Sequence, residues 1–158
     1  VWKVATQGIA DFPFTGMGIG TFREVGRLLY PLSIPASYDF AHAHNEFLQV
    51  ALDLGQLGLI AFMAIYLSAY TLLWKLWHAA SANRSVITRY LALGLGGGLF
   101  AHMLYSLTDA IALGAKPGIL FWCLLGLITS LFQQQQLNPL GADQSNSADT
   151  KRKSALPI

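Results

Sequence analysis

Three long apolar runs dominate the chain between residues 57 and 132, and polar segments separate them. No charged residue occurs in these runs, which are Leu57 to Trp74, Tyr90 to Leu107 and Pro117 to Phe132. Apolar runs of this length are typical of helices that cross a membrane. The pattern therefore predicts an all-α, polytopic membrane protein with about three transmembrane helices, at about 55–77, 89–108 and 117–133.

The flanking segments have a different pattern. Prolines and glycines interrupt residues 1–45, and only Val25 to Tyr30 suggest a short helical turn there. Residues 1–45 are therefore predicted to be an external loop region, followed by a membrane domain at 46–132. The tail at 133–158 is rich in Gln, Asn, Ser and Asp, and it has too little apolar content to fold. We expect this tail to be disordered.

The basic residues predict an orientation. The loop between the first two runs carries three of them and no acidic residue, and the tail carries three more, namely Lys75, Arg84, Arg89, Lys151, Arg152 and Lys153. Because cytoplasmic loops are enriched in Lys and Arg, both segments are expected to be cytoplasmic. Three crossings then put residues 1–45 and the loop around Asp109 on the opposite, periplasmic side. His44 and Asp109 are thus predicted to share one side of the membrane.

Composition supports a membrane location. The chain is 54% hydrophobic and 11% charged, whereas soluble domains carry about 25% charged residues. Its net charge of +2 is too small to indicate a nucleic-acid partner. The chain starts at Val1 without a signal-peptide pattern, so we expect it to be the C-terminal part of a longer protein. The single cysteine, Cys123, cannot form an intrachain disulfide or a metal site alone, and is expected to be buried.

A histidine stands directly before the first predicted helix. Asn45 suits the N-cap, and His44 precedes it. Polar residues then recur on one helical face, at Glu46, Gln49, Asp53 and Gln56. Such a stripe must face water, protein or a polar cavity, so this end of the helix is predicted to line a cavity. Imidazole titrates near neutrality and can act as a general base. The alternative is that His44 only caps the helix or binds a backbone carbonyl.

Other candidate residues favour structural roles on their own. His42 and His44 could point the same way and bind a metal, but no third or fourth ligand is evident, and no metal is expected. The segment with Gly16, Gly18 and Gly20 matches no nucleotide-binding loop and is predicted to form a tight turn.

Two further groups carry polar chemistry. Arg23 and Arg27 are four residues apart, and guanidinium groups can hold a pyrophosphate. The alternative is that they are solvated loop charges. His102, Tyr105 and Asp109 share a face near the external end of the second predicted helix. An intramembrane histidine is a functional candidate, although a hydrogen bond between helices is the simpler explanation. Asp109 could orient His44.

The order His44-Asn45, nine residues, Gly55, two residues, Gly58 resembles the signature of the O-antigen ligase and O-antigen polymerase superfamily. The segment from Gly16 to Phe22 is also similar to that superfamily. The resemblance implies a GT-C-like, metal-independent membrane glycosyltransferase without a cofactor, in the bacterial inner membrane. Its donor would be a glycan on undecaprenyl pyrophosphate, and its acceptor lipid A-core or a similar glycan.

The resemblance makes His44 the catalytic general base or a group that positions the acceptor. The candidate substrate-binding residues are Asn45, Arg23, Arg27, Asp109 and His102, and the structural glycines are Gly16, Gly18, Gly20, Gly55 and Gly58. The alternatives are a polysaccharide polymerase or a protein O-oligosaccharyltransferase. A membrane transporter, with a midplane site at the glycine cluster and His102, is a further alternative.

Overall fold

The computed structural model describes residues 1–30, 41–82, 85–110 and 116–137. These residues form five helices and no strand, which confirms the all-α prediction. The helices are α1 (Trp2–Asp11), α2 (Phe22–Leu29), α3 (Glu46–Ala82), α4 (Val86–Tyr105) and α5 (Lys116–Leu137). Pro31, Pro35, Arg84 and the basic residues of the tail lie outside the described residues.

Helices α3, α4 and α5 pack into one bundle. The start of α3 contacts the end of α4, where the Glu46 N–H donates to the Ser106 carbonyl at 2.8 Å, so α3 and α4 are antiparallel. Their shared core is apolar and consists of Tyr66, Ala69, Leu73, Leu76, Ala92, Leu99, Phe121 and Ile128. Gly96 and Gly98 let side chains of the neighbouring helices approach α4, since a Cβ there would already be in van der Waals contact with a leucine.

Two of the three predicted transmembrane helices are long and apolar enough to cross a membrane. They are α3 and the Gly118–Leu137 part of α5. In the most apolar stretch of each helix, the buried share is only 28% for α3 and 22% for α5. The core helix of a soluble domain would be mostly buried. The remaining apolar surface of α3 and α5 fits contact with lipid. The most apolar stretch of helix α4 is less apolar than those of α3 and α5, because its glycines, Arg89 and His102 lower its mean hydropathy. That α4 crosses the membrane stays a prediction.

The N-terminal segment is more regular than the sequence analysis expected. Helices α1 and α2 pack on the start of α3 around a second apolar cluster, formed by Val4, Ala5, Phe22, Ala43 and Leu52. The expectation of an irregular segment is therefore wrong for Trp2–Asp11, which forms α1. The expected helical turn is present but begins earlier, at Phe22.

The end of the bundle also differs from expectation. Helix α5 continues to Leu137, so residues 133–137 are helical, while residues 138–158 lie outside the described residues. Cys123 is exposed on α5, and the prediction that it is buried is wrong.

Candidate active site

Helix α3 is interrupted at Gly55. This residue has φ 72° and ψ −175°, outside the helical region. The break leaves the Leu52 and Asp53 carbonyls to be bonded by the loop that follows α1. The Met17 N–H donates to the Leu52 carbonyl at 2.5 Å, and the Gly18 N–H donates to the Asp53 carbonyl at 3.2 Å. The glycine loop thus supplies the hydrogen bonds that a continuous helix would have made itself.

Close backbone approach explains two of the glycines. A Cβ on Gly55 would lie 2.5 Å from the Phe14 carbonyl oxygen, and a Cβ on Gly16 would lie 2.5 Å from the Asp53 carbonyl oxygen. Both glycines also have φ near +70°. The structural role expected for this pair follows from sterics, because only glycine has neither the Cβ nor the backbone restriction.

The rest of the glycine loop is held by its neighbours. Thr21 Oγ1 donates to the Met17 and Gly18 carbonyls, both at 2.8 Å. The next residue, Phe22, is 1% exposed and anchors α2 in the N-terminal apolar cluster. The loop is therefore fixed at both ends against the broken start of α3.

His44 occupies a left-handed backbone conformation, with φ 51°. Histidine adopts this region more often than most residues, but it remains uncommon outside glycine. The next residue, Asn45, caps α3, since its Oδ1 accepts the Leu48 N–H at 3.0 Å. Asn45 Nδ2 also donates to the Leu107 carbonyl at 3.0 Å, which ties the start of α3 to the end of α4. The predicted N-cap is confirmed.

Asp109 lies beside His44, although 65 positions of sequence separate them. The distance from His44 Nδ1 to Asp109 Oδ1 is 3.6 Å, a close contact that is about 0.4 Å beyond the range of N–H···O hydrogen bonds. Asp109 is itself held, because its Oδ2 accepts the Tyr105 hydroxyl at 3.1 Å and its Oδ1 accepts the Ala110 N–H at 2.9 Å. With Nδ1 turned to Asp109, Nε2 is the ring nitrogen left for a substrate.

His42 joins the same cluster. Its Nδ1 lies 3.8 Å from Asp109 Oδ1, and its ring packs edge-on against that of His44, with 4.4 Å between centroids. The sequence suggested the His42–His44 pair from its spacing. It also suggested that Asp109 orients His44, but not that Asp109 lies beside His42 as well, because that contact depends on how α3 and α4 pack.

A cavity of about 250 Å³ opens next to this cluster. Its lining includes His42, Glu46, Gln49 and Asp53, three of them from the predicted polar stripe. Gln49 joins the segment before α3 to Asp53 on α3. Its Oε1 accepts the Ala43 N–H and its Nε2 donates to Asp53 Oδ1, both at 2.8 Å. The prediction that the stripe lines a cavity is confirmed for these residues. Gln56 is exposed beyond the break at Gly55 and does not line the cavity.

The other candidate residues lie apart from the cluster. His102 is buried inside the bundle, where its Nδ1 is 3.0 Å from the Tyr66 hydroxyl and its ring stacks on Phe121. This arrangement is the hydrogen bond between helices that the sequence left open as an alternative. Arg23 and Arg27 are exposed on α2 and are engaged in interactions of their own.

The glycine loop, His44, Gly55 and Gly58 fall within one continuous stretch. Residues 1–63 match the model of the O-antigen ligase family. The match confirms the resemblance on which the sequence analysis relied. Together with the apolar helices, this match fits a glycan-handling enzyme of a bacterial membrane. Asp109 and His102 lie outside the matched stretch. No curated protein matched the chain in a sequence comparison.

Proposed function

We propose that the protein transfers a glycan from undecaprenyl pyrophosphate to a sugar hydroxyl of lipid A-core or a similar acceptor. His44 acts as the general base, and Asp109 orients its ring. The single observation that supports this best is the His44–Asp109 pair. His44, which has a strained backbone and lies 3.6 Å from this carboxylate, belongs to the stretch that matches the O-antigen ligase family. Its neighbour His42 lines a cavity with Glu46 and Gln49.

The chemistry is a displacement at the anomeric carbon of the donor. As the acceptor oxygen attacks that carbon, its proton passes to His44 Nε2. The bond from the anomeric carbon to the pyrophosphate oxygen breaks, and its electron pair leaves with the pyrophosphate. Asp109 stabilises the imidazolium that forms and keeps Nε2 directed towards the acceptor.

Roles for the remaining candidates follow from where they lie. Arg23 and Arg27, whose side chains are exposed on α2, would bind the negatively charged pyrophosphate. Asn45 holds His44 in place by joining α3 to the end of α4. His102 belongs to the bundle interior, so we assign it packing rather than contact with substrate. The site faces the periplasm in this proposal, with Lys75 and Arg89 at the opposite, cytoplasmic end of the helices.

The test is ligation in a bacterial host that lacks its own O-antigen ligase. The full-length protein is compared with His44→Ala, Asp109→Asn and the control His78→Ala, whose histidine lies near the other end of α3. Loss of a general base typically costs about 10²- to 10⁴-fold in rate. We therefore expect His44→Ala to leave the glycan on its polyprenyl carrier, Asp109→Asn to be intermediate and His78→Ala to be normal.

Two results would change the assignment. If His44→Ala ligates as well as the unmodified protein, His44 is only part of the helix start and the proposal fails. If single glycan repeats accumulate in the variant instead of long carrier-linked chains, the protein is a polymerase. Equal amounts of the variants in the membrane, measured by immunoblot, make these comparisons valid.

A further inference from the structure

We propose that His42, His44 and Asp109 bind a divalent ion of the Zn²⁺ class, and that this ion inhibits the enzyme. The sequence analysis expected no metal site because it found no third ligand beside the two histidines. The fold supplies one, since a ligand atom from each of the three residues lies within 4.8 Å of the others. The inhibition rests on the proposed role of His44, whereas the binding does not.

The spacing of the donor atoms is close to that of a metal site. Ligands about 2.0–2.1 Å from a tetrahedral Zn²⁺ lie about 3.4 Å from one another. The two distances to Asp109 Oδ1 are 3.6 Å from His44 Nδ1 and 3.8 Å from His42 Nδ1. These separations need to contract by only a few tenths of an ångström. The widest pair, at no more than 4.8 Å, requires at most about 1.4 Å, which small side-chain rotations can supply.

The donor set selects the class of metal. Two imidazole nitrogens and one carboxylate oxygen suit Zn²⁺ and similar transition metals, whereas Mg²⁺ and Ca²⁺ prefer oxygen ligands alone. His42 Nδ1 accepts the His44 N–H at 3.3 Å, so this nitrogen carries a lone pair rather than a proton. That lone pair is the one a metal would take. Three protein ligands leave a fourth tetrahedral position for water.

The backbone holds the ligands in place before any ion arrives. The left-handed conformation of His44 brings its ring against that of His42. Asp109 is fixed by Tyr105 and by the Ala110 N–H. The three side chains are also partly exposed, at 30% for His42, 54% for His44 and 39% for Asp109. An ion can therefore reach them from outside without opening the fold.

A bound ion would prevent catalysis by the proposed route. Coordination through the His44 Nδ1 lone pair would leave the ring proton on Nε2, which then has no lone pair to accept the proton of the acceptor hydroxyl. It would also occupy Asp109, which then no longer stabilises an imidazolium. The ion is thus an inhibitor that competes with the catalytic use of the pair, rather than a cofactor of the reaction.

Binding is tested on the full-length protein purified in detergent through a tag without histidines and treated with a chelator. Co²⁺ serves as the probe, because its visible absorption reports tetrahedral nitrogen and oxygen ligands, and Zn²⁺ is then added to displace it. We expect one Co²⁺ per chain. His42→Gln should weaken its binding by at least about 10-fold. The control His78→Gln removes a histidine that already bonds the Trp74 carbonyl, and should leave binding unchanged.

Activity supplies the second measurement. Ligation by the unmodified protein should fall as Zn²⁺ is added and recover with chelator, while His42→Gln should need at least about 10-fold more Zn²⁺ for the same inhibition. The inhibition of His42→Gln is expressed relative to its own activity without metal, because His42 packs against His44 and lines the cavity. Its thermal unfolding in detergent, compared with that of His78→Gln, shows whether it folds.

The outcomes separate this inference from the proposed function. If no Co²⁺ binds, or if folded His42→Gln binds it as tightly as the unmodified protein, the metal site is wrong even where ligation works. If binding depends on His42 but Zn²⁺ leaves ligation unaffected, the inhibition is refuted and the site alone stands. If binding depends on His42 and the protein shows no ligation at all, the proposed function has failed and the metal site is supported.

Discussion

Replacing Gly55 by alanine would test whether the break in α3 is enforced by the loop that crosses it. Gly55 has φ 72° and ψ −175°, a region that essentially only glycine populates. The added Cβ would also lie 2.5 Å from the Phe14 carbonyl oxygen, well inside contact distance. The substitution therefore combines backbone strain with a clash against main-chain atoms, which cannot rotate away as a side chain can.

Each of these two effects costs about 1–3 kcal/mol, so together they are expected to destabilise the protein by about 2–6 kcal/mol. That is a large fraction of a typical total stability of about 5–15 kcal/mol. A helix that straightened to avoid the clash would pull the Leu52 and Asp53 carbonyls away from the glycine loop. We therefore expect Gly55→Ala to lose both thermal stability and ligation.

Two matched variants separate the contributions. Gly20 has φ +73° but no atom within 4 Å of an added Cβ, so Gly20→Ala measures backbone strain without the clash. Gly97 lies in a regular part of α4 with open space around it, so Gly97→Ala has neither effect and can gain up to about 1 kcal/mol. The assay is the unfolding midpoint in one detergent. Equal midpoints for Gly55→Ala and Gly20→Ala would show that the clash is relieved, and a midpoint for Gly55→Ala equal to that of Gly97→Ala would refute the whole argument.

The remaining predictions concern the helix cap, a hydrogen bond in the N-terminal layer and the strained histidine. Asn45→Ala loses both the cap and the bond to the Leu107 carbonyl, and should cost about 1–2 kcal/mol. An unfolding midpoint equal to that of the unmodified protein contradicts this. Partial burial and the hydrogen bond to Asp11 raise the pKa of Tyr30 from 10.0 to about 12. The stability that Tyr30 adds over Tyr30→Phe should thus be constant below pH 10 and decline above it; a difference in midpoint that does not change with pH contradicts this. His44→Gly should be inactive yet melt no lower than His44→Ala, because φ 51° suits glycine; a lower midpoint would show that the backbone at His44 is not strained.

Sequence patterns predicted the parts of the fold that depend on local composition. The apolar runs indicated the helices of the bundle, and Asn45 indicated the start of α3. Helix α1 was not predicted because a proline and several glycines follow it closely, although Trp2–Asp11 itself contains no proline. Its buried face, with Val4, Ala5 and Gly8 on adjacent turns, was a signal that periodicity could have found.

The candidate site was only partly predictable, for a physical reason. His44 and the glycines were recognised because their spacing is local, but the contact between Gly16 and Gly55 depends on how the first loop crosses α3. Asp109 was predicted to lie on the same side as His44, which basic-residue placement can supply. The distance of 3.6 Å between them depends on the register of α3 against α4, which no pattern within either helix specifies.

The register of α3 against α4 is fixed by contacts at the end of α3 that carries the site. Two hydrogen bonds join this end to the turn after α4, from the Glu46 N–H to the Ser106 carbonyl and from Asn45 Nδ2 to the Leu107 carbonyl. Both involve the residues directly after His44, so the cap that starts the helix also fixes the distance to Asp109. The left-handed backbone at His44 costs about 1–2 kcal/mol. It directs the ring to Asp109 from a position just outside the helix. A histidine inside α3 would have avoided that cost, but its ring would have pointed along the helix surface, away from the turn that carries Asp109.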